Sequence, residues 1–191
     1  SDMKTPTVIL VCGYARAGKD TFGEAFRDLI PGARKVAFAD ELKNAGNLFL
    51  ERLGLHGKAD FNDEATKTRF RRFLEEGGAT ARAIEPSVFA DIAARAAYLN
   101  LLSGRCVVMT DWRYRNELQT VQTICAPFRV ITVRIRRQET GPASDQEAMS
   151  IREIEDLCRI DHDATFRHGE TGLIRDLALT VAASIPNVPA A

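Results

Sequence analysis

Val8-Ile9-Leu10-Val11-Cys12-Gly13-Tyr14-Ala15-Arg16-Ala17-Gly18-Lys19-Asp20-Thr21 is the stretch from which the rest of the chain is read. Its first five residues are apolar, continuous and rich in β-branched side chains, the pattern of a short strand buried on both faces in a parallel sheet. Gly13 to Lys19 then fits G-x-x-x-x-G-K, and a helical pattern follows through Phe22, Ala25, Phe26 and Leu29 until Pro31-Gly32 stops it. Strand, glycine-flanked turn and helix are together the context a phosphate-binding loop requires. The glycines let the backbone from Gly13 through Ala15, Arg16, Ala17 and Gly18 turn its N–H groups inward. Lys19 adds a point charge for the outer phosphate oxygens, and the helix N-terminus adds a partial positive charge. In the usual loop a Ser or Thr hydroxyl after the lysine ligates magnesium. Here that residue is Asp20, with Thr21 behind it, so Asp20 is either a first-turn acid complementing the helix dipole or a carboxylate reaching the metal.

Outward from this stretch, strands and helices alternate. Lys35 to Ala39 reads as a second strand, Asp40-Glu41-Leu42-Lys43 opens a helix toward Leu53, and residues 54–63 read as a loop. Glu64 to Glu76 is helical in pattern and is expected to break at Gly77-Gly78; a further helix runs from near Pro86 to Leu99 and stops at Ser103-Gly104. Arg105 to Thr110 is a third apolar strand, Asn116 to Ile124 a helix, and Arg129 to Ile135 a fourth strand. Residues 136–149 are polar and centred on Gly141-Pro142, the composition of a mobile loop or lid. Helical periodicity returns over 150–158, a weak strand spans Ala164 to Phe166, and a last helix runs from about Gly172 to Ile185. The alternation predicts an α/β fold with a largely parallel sheet whose binding edge is the strand C-termini.

Composition bounds the partners. The chain has 191 residues and 26 Lys+Arg against 26 Asp+Glu, a net charge of zero. That balance argues against duplex nucleic acid or an anionic membrane as the main partner, since both select a basic excess. The positive half is 20 Arg and 6 Lys, beside 26 Ala, so codon usage accounts for the arginine total and only placement can give it meaning. No apolar run reaches the roughly 18 residues of a membrane span, and no signal-peptide pattern is visible. Ser1-Asp2 before Met3 reads as a tag remnant. Cys12, Cys106, Cys125 and Cys158 lack metal-site spacing, and the expectation is four reduced thiols in a cytoplasmic protein.

Two further features carry chemistry. Val107 to Thr110 is apolar and ends in Asp111, where a second nucleotide-site carboxylate belongs; a strand-end cap is the alternative to that favoured reading. Arginines lie at Arg113 and Arg115 just beyond, at Arg69, Arg71 and Arg72 on one helical run, at Arg82, and at Arg134, Arg136 and Arg137. Arg69 and Arg71 read as a solvated face, whereas arginines at element ends are placed to converge on the phosphate loop.

These residues resemble the bacteriophage-type deoxynucleoside monophosphate kinases, a branch of the P-loop nucleoside-monophosphate-kinase-like enzymes. The resemblance rests on Gly18-Lys19-Asp20-Thr21, on Phe38-Ala39-Asp40-Glu41-Leu42-Lys43, and on Thr110-Asp111-Trp112-Arg113-Tyr114-Arg115-Asn116-Glu117. A looser match covers Phe73 to Arg82, where Glu75, Ala79 and Thr80 depart from the family pattern. The resemblance implies a single three-layer P-loop domain over 1–191, with about five strands, a helical monophosphate-binding region near 40–100 and a lid near 136–150. It implies transfer of the γ-phosphoryl of ATP, with Mg²⁺, to a deoxynucleoside 5′-monophosphate. Lys19 and the loop would hold ATP, and Asp20 and Asp111 the metal and its waters. Lys43, Arg72, Arg82, Asp111 and Arg113 would meet the acceptor, Arg136 and Arg137 would close from the lid, and Phe38 would stack on the base unless it is a core aromatic. A homodimer is compatible with this reading. Two others keep the loop: a kinase for another small phosphorylated metabolite, distinguished within residues 38–98, and a nucleotide-binding protein without turnover.

Overall fold

The computed structural model describes residues 3–189, so Ser1 and Asp2 lie outside it. Thr7–Cys12 forms β1, completely buried along its length, as its unbroken apolar run requires. β1 pairs in parallel with β3 (Val107–Met109) on one side and with β4 (Arg129–Arg137) on the other. β2 (Arg34–Lys35) extends the sheet beyond β3, and β5 (His162–Phe166) beyond β4, giving the order β2-β3-β1-β4-β5. All five strands are parallel, so the segments that leave their C-termini share one edge.

Helices cover both faces. α1 (Lys19–Leu29) and α8 (Thr171–Ser184) bury Phe22, Phe26, Ile174 and Val181 against Ile9, Val11, Ile131 and Val133. On the opposite face α5 (Val88–Leu102), α6 (Arg115–Ile124) and α7 (Asp145–Leu157) bury Ala94, Ala97, Val121 and Ile154 against Val8, Leu10 and Met109. The alternation within β1, odd residues to one layer and even residues to the other, is the period-two rule of a strand. α2 (Asp40–Arg52), α3 (Glu64–Arg69) and α4 (Arg71–Ile84) pack mainly on one another and on α5, and form a helical flank at one side of the sheet edge.

Three expected boundaries move. β2 stops at Lys35 rather than Ala39: Val36 N–H still reaches the Val108 carbonyl, but the Phe38 and Ala39 amides donate to the Asp111 carboxylate instead of to a strand. The helix expected to end at Gly77-Gly78 breaks earlier, at Phe70, and α4 runs through both glycines. Gly78 is there for close approach: a Cβ would lie 3.2 Å from Leu42 Cδ2 of α2 and 3.0 Å from the Arg82 guanidinium. The polar stretch after β4 is also shorter than expected. β4 pairs with β5 as far as Arg137, and Ser144 caps α7 by accepting the Glu147 N–H, which leaves only residues 138–144 as a turn.

Because Gly77 is an exposed mid-helix residue with only an ordinary 3.9 Å contact to Leu42, Gly77→Ala is expected to stabilise the protein by about 0.5–1 kcal/mol in urea unfolding. A loss of stability would restore the break at 77–78.

Candidate functional site

The loop between β1 and α1 is built by backbone restriction. Gly13 has φ +148°, and a Cβ on it would sit 2.2 Å from the Ile135 carbonyl oxygen of β4, so no side chain fits there. Gly18, the residue before α1, has φ +107°, and Arg16 is itself left-handed at φ +66°. Left-handed residues interspersed with others turn successive N–H groups to one side and form an anion-binding concavity. Lys19 Nζ donates to the Gly13 carbonyl at 2.6 Å and the Tyr14 carbonyl at 2.9 Å, folded onto its own loop. Burial first, and the nearby Arg113 second, hold its ammonium below the usual lysine range. Gly13 and Ala17 are buried, Ala15, Gly18 and Thr21 half-buried, and Arg16 is exposed.

Asp20 lies at the start of α1 with an exposed carboxylate; it accepts the Thr110 hydroxyl at 3.0 Å and pairs with Lys35 at 3.4 Å. Burial pushes its pKa up, but Lys35, Thr110 and Lys19 outweigh that and hold the carboxyl below the usual range. As an exposed, ionised oxygen donor beside the loop, Asp20 fits a hard divalent cation. Asp111 does not fit one directly. Its two carboxylate oxygens accept the Phe38 and Ala39 amides at 3.0 Å each, and burial raises its pKa despite those bonds. The strand-end cap is what the structure contains, and through it β3 sets the path of the chain into α2. Among the described residues no cluster of three or more His, Cys, Asp or Glu side chains gathers at metal-binding range.

The arginines divide. The Arg82 guanidinium lies over the Phe89 ring at 4.9 Å and the Tyr114 ring at 5.2 Å, on α4 and not beyond a break. Arg113 is exposed at the sheet edge and near enough to Lys19 and Asp111 to influence both. Arg136 points with Arg134 toward Asp163, 3.0 Å from its Oδ2, while Arg137, on the other face of β4, keeps a buried Nε without a hydrogen-bond partner among the described residues. Lys43 pairs with Asp40 at 3.6 Å. Arg72 is not brought to this edge: it is exposed on α4 and paired with Glu76 at 2.7 Å. Phe38 is 3% exposed and belongs to the core beneath the sheet, which leaves no ring face for a base.

Two residues outside the candidate set enter here: Glu147, and Arg71, which the sequence reads as part of a solvated helical face. Arg71, the first residue of α4, lines a 440 Å³ cavity with Ala15, Arg16 and the turn residues Glu139, Thr140, Gly141 and Ala143. Neither Arg16 nor Arg71 forms an ion pair among the described residues. Glu147 on α7 accepts the Ala15 N–H of the loop and the Ala143 N–H of the turn, both at 2.6 Å. Ser144-Asp145-Gln146-Glu147 is an S-x-x-E capping signature and is the available signal for Glu147; Arg71 carries only the pattern of a solvated helical arginine run. A 480 Å³ cavity between α2 and the 54–63 loop is lined by Asn44, Asn47, Glu51, His56 and Asp60, without Lys or Arg, and does not suit a phosphate. All four thiols are free and raised in pKa by burial, Cys12 to about 12, so none is an activated nucleophile. No described helix is long and apolar enough to cross a membrane.

Comparison with solved structures finds a "putative kinase" from Chloroflexus aurantiacus at TM-score 0.50 and 18% identity, covering 95% of this chain and 98% of that one. The two share a fold. No family model matches the chain, and no curated protein matches it.

Glu117 supplies a pH test of this edge. It is 4% exposed, and its Oε1 accepts the Arg113 and Tyr114 amides at 2.8 Å, yet burial raises its pKa to about 8. The folded chain therefore keeps a proton that the unfolded chain releases near pH 4.5, and stability falls as pH rises from about 5 to 8, by up to about 1.4 kcal/mol per pH unit. Urea unfolding across that range should show the decline, and Glu117→Gln should flatten it.

Proposed function

We propose that the chain is an ATP-dependent kinase that transfers the γ-phosphoryl group to a deoxynucleoside 5′-monophosphate. One observation carries the kinase half: a buried parallel strand, a glycine-flanked loop with Lys19 and a helix N-terminus, in that order at the binding edge of the sheet. The acceptor half rests on the resemblance of Phe38 to Lys43 and Thr110 to Glu117. An acceptor phosphate is already ionised at neutral pH, so the reaction needs positioning and charge stabilisation more than a general base. That requirement suits an edge furnished with arginines and without an activated thiol.

In this reading Lys19 leaves the Gly13 and Tyr14 carbonyls for the donor phosphates, and the loop amides hold their oxygens. Asp20 would hold Mg²⁺, directly or through water. The metal, when bound, neutralises charge on the transferring group. Asp111 contributes by fixing the Phe38-Ala39 turn, so its part is positional. Arg113 and Arg82 receive the acceptor phosphate together with Lys43, the Arg82 guanidinium lying over the Phe89 and Tyr114 rings. Arg16 and Arg71 face the outer phosphates across their shared cavity, and Arg136 and Arg137 stand at the foot of the 138–144 turn.

A coupled assay over deoxy- and ribonucleoside monophosphates tests the proposal: ADP release should require Mg²⁺ and an added deoxynucleotide, with little from ATP alone. Tight ATP binding without turnover on any acceptor would overturn it and leave a nucleotide-binding protein. Lys19→Ala should lose about 10²-fold or more in kcat with its melting temperature retained. Arg113→Ala and Arg71→Ala should each lower kcat by about tenfold or more while stability stays within about 0.5 kcal/mol, because both side chains are exposed.

A further inference from the structure

Glu147 sits in the first turn of α7, where an acid ordinarily serves its own helix. One of its oxygens does so, accepting the Ala143 amide just before the cap. The other reaches 132 residues back along the chain to the Ala15 amide, inside the phosphate loop. Ala15 and Ala143 both line the cavity that Arg16 and Arg71 also line, and through its two bonds the carboxylate bridges the loop to the turn. Its negative charge is felt at Lys19, whose ammonium it helps keep protonated. Lys19 meanwhile bonds the loop's own carbonyls. The loop's cation and one of its amides are thus both satisfied by protein groups, and the group on the amide is an oxyanion with the hydrogen-bonding chemistry of a phosphate oxygen.

From this arrangement we infer that Glu147 is a resident counter-ion of the phosphate loop: an incoming phosphate chain displaces its carboxylate from Ala15 and thereby unties the 138–144 turn from the loop. Glu147 is a positioning residue in this scheme and touches no reacting atom. The inference rests on the phosphate-loop reading above but not on the identity of the acceptor. It predicts that a negative charge beside the loop weakens donor binding, the reverse of what a purely structural bridge would do.

The test compares wild type with Glu147→Gln, which removes the charge and keeps one carbonyl acceptor where the carboxylate offers two, using titrations of ATP, inorganic tripolyphosphate and adenosine. ATP and tripolyphosphate should bind about three- to fivefold tighter to the variant, the scale of a partly exposed charge interaction, with adenosine unchanged. Equal or weaker binding of the phosphates overturns the inference. A second measurement needs no variant: tripolyphosphate added to wild type should speed hydrogen exchange at the Ala143 amide, and unchanged or slower exchange counts against displacement. If wild type binds neither ATP nor tripolyphosphate, the phosphate-loop reading falls and takes this one with it. Binding without the tightening removes this one alone.

Discussion

A methyl group on Gly13 would lie 2.2 Å from the Ile135 carbonyl oxygen, and that contact governs the binding edge. β1 and β4 are joined in register from Thr7–Arg129 to Cys12–Arg134, so the chain leaves β1 hard against the continuing β4 backbone. Only a residue without Cβ can turn there. Gly18 faces a similar limit at the other end of the loop, where a Cβ would meet Ile174 Cδ1 of α8 at 2.6 Å. The loop is wedged between a strand and a helix, and its geometry is inherited from the packing of the sheet and the α1–α8 layer.

Around that wedge, acids are used on backbone. Asp111 binds the Phe38 and Ala39 amides, Glu117 those of Arg113 and Tyr114, and Glu147 those of Ala15 and Ala143. Each joins an N–H pair that no strand or helix satisfies, where an orphaned donor would cost about 1–3 kcal/mol. In each case the carboxylate fixes the exit of one element relative to another. The irregular segments at the sheet edge are ordered by carboxylates in the way the strands are ordered by carbonyls.

This division explains what the sequence could and could not reveal. Local signals were enough for β1, α1, α5, α6 and α8, whose apolar periodicity and terminators act within a few residues. β2 was read too long because Phe38 and Ala39 give their amides to Asp111, 73 and 72 residues away. Gly77-Gly78 looked like a terminator, but Gly78 answers to Leu42 on another helix. The sequence reads Arg71 as a solvated face and Arg72 as an acceptor contact; the break at Phe70 reverses the two, setting Arg71 at the loop cavity and leaving Arg72 with Glu76 in solvent. Glu147 carried a capping signature, yet its longer bond depends on where the fold sets α7 beside β1.

The same division accounts for a positive cavity in a neutral chain. Equal numbers of acids and bases cancel only if both are equally free to act on a ligand. At this edge Asp111 is half-buried with both oxygens turned to amides, Glu117 is buried and holds its proton to about pH 8, and Glu147 is tied between two backbone donors. Arg16, Arg71 and Arg113 are exposed and have no ion pair among the described residues. Two arginines, Arg16 and Arg71, line the cavity against one acid, Glu139, whose Oε2 accepts the His168 amide, so basic charge is left in excess there. Of those acids, Glu147 is the one bonded to an amide of the β1–α1 loop itself, so in the displacement proposed above its charge is the component of this field that an arriving phosphate would remove.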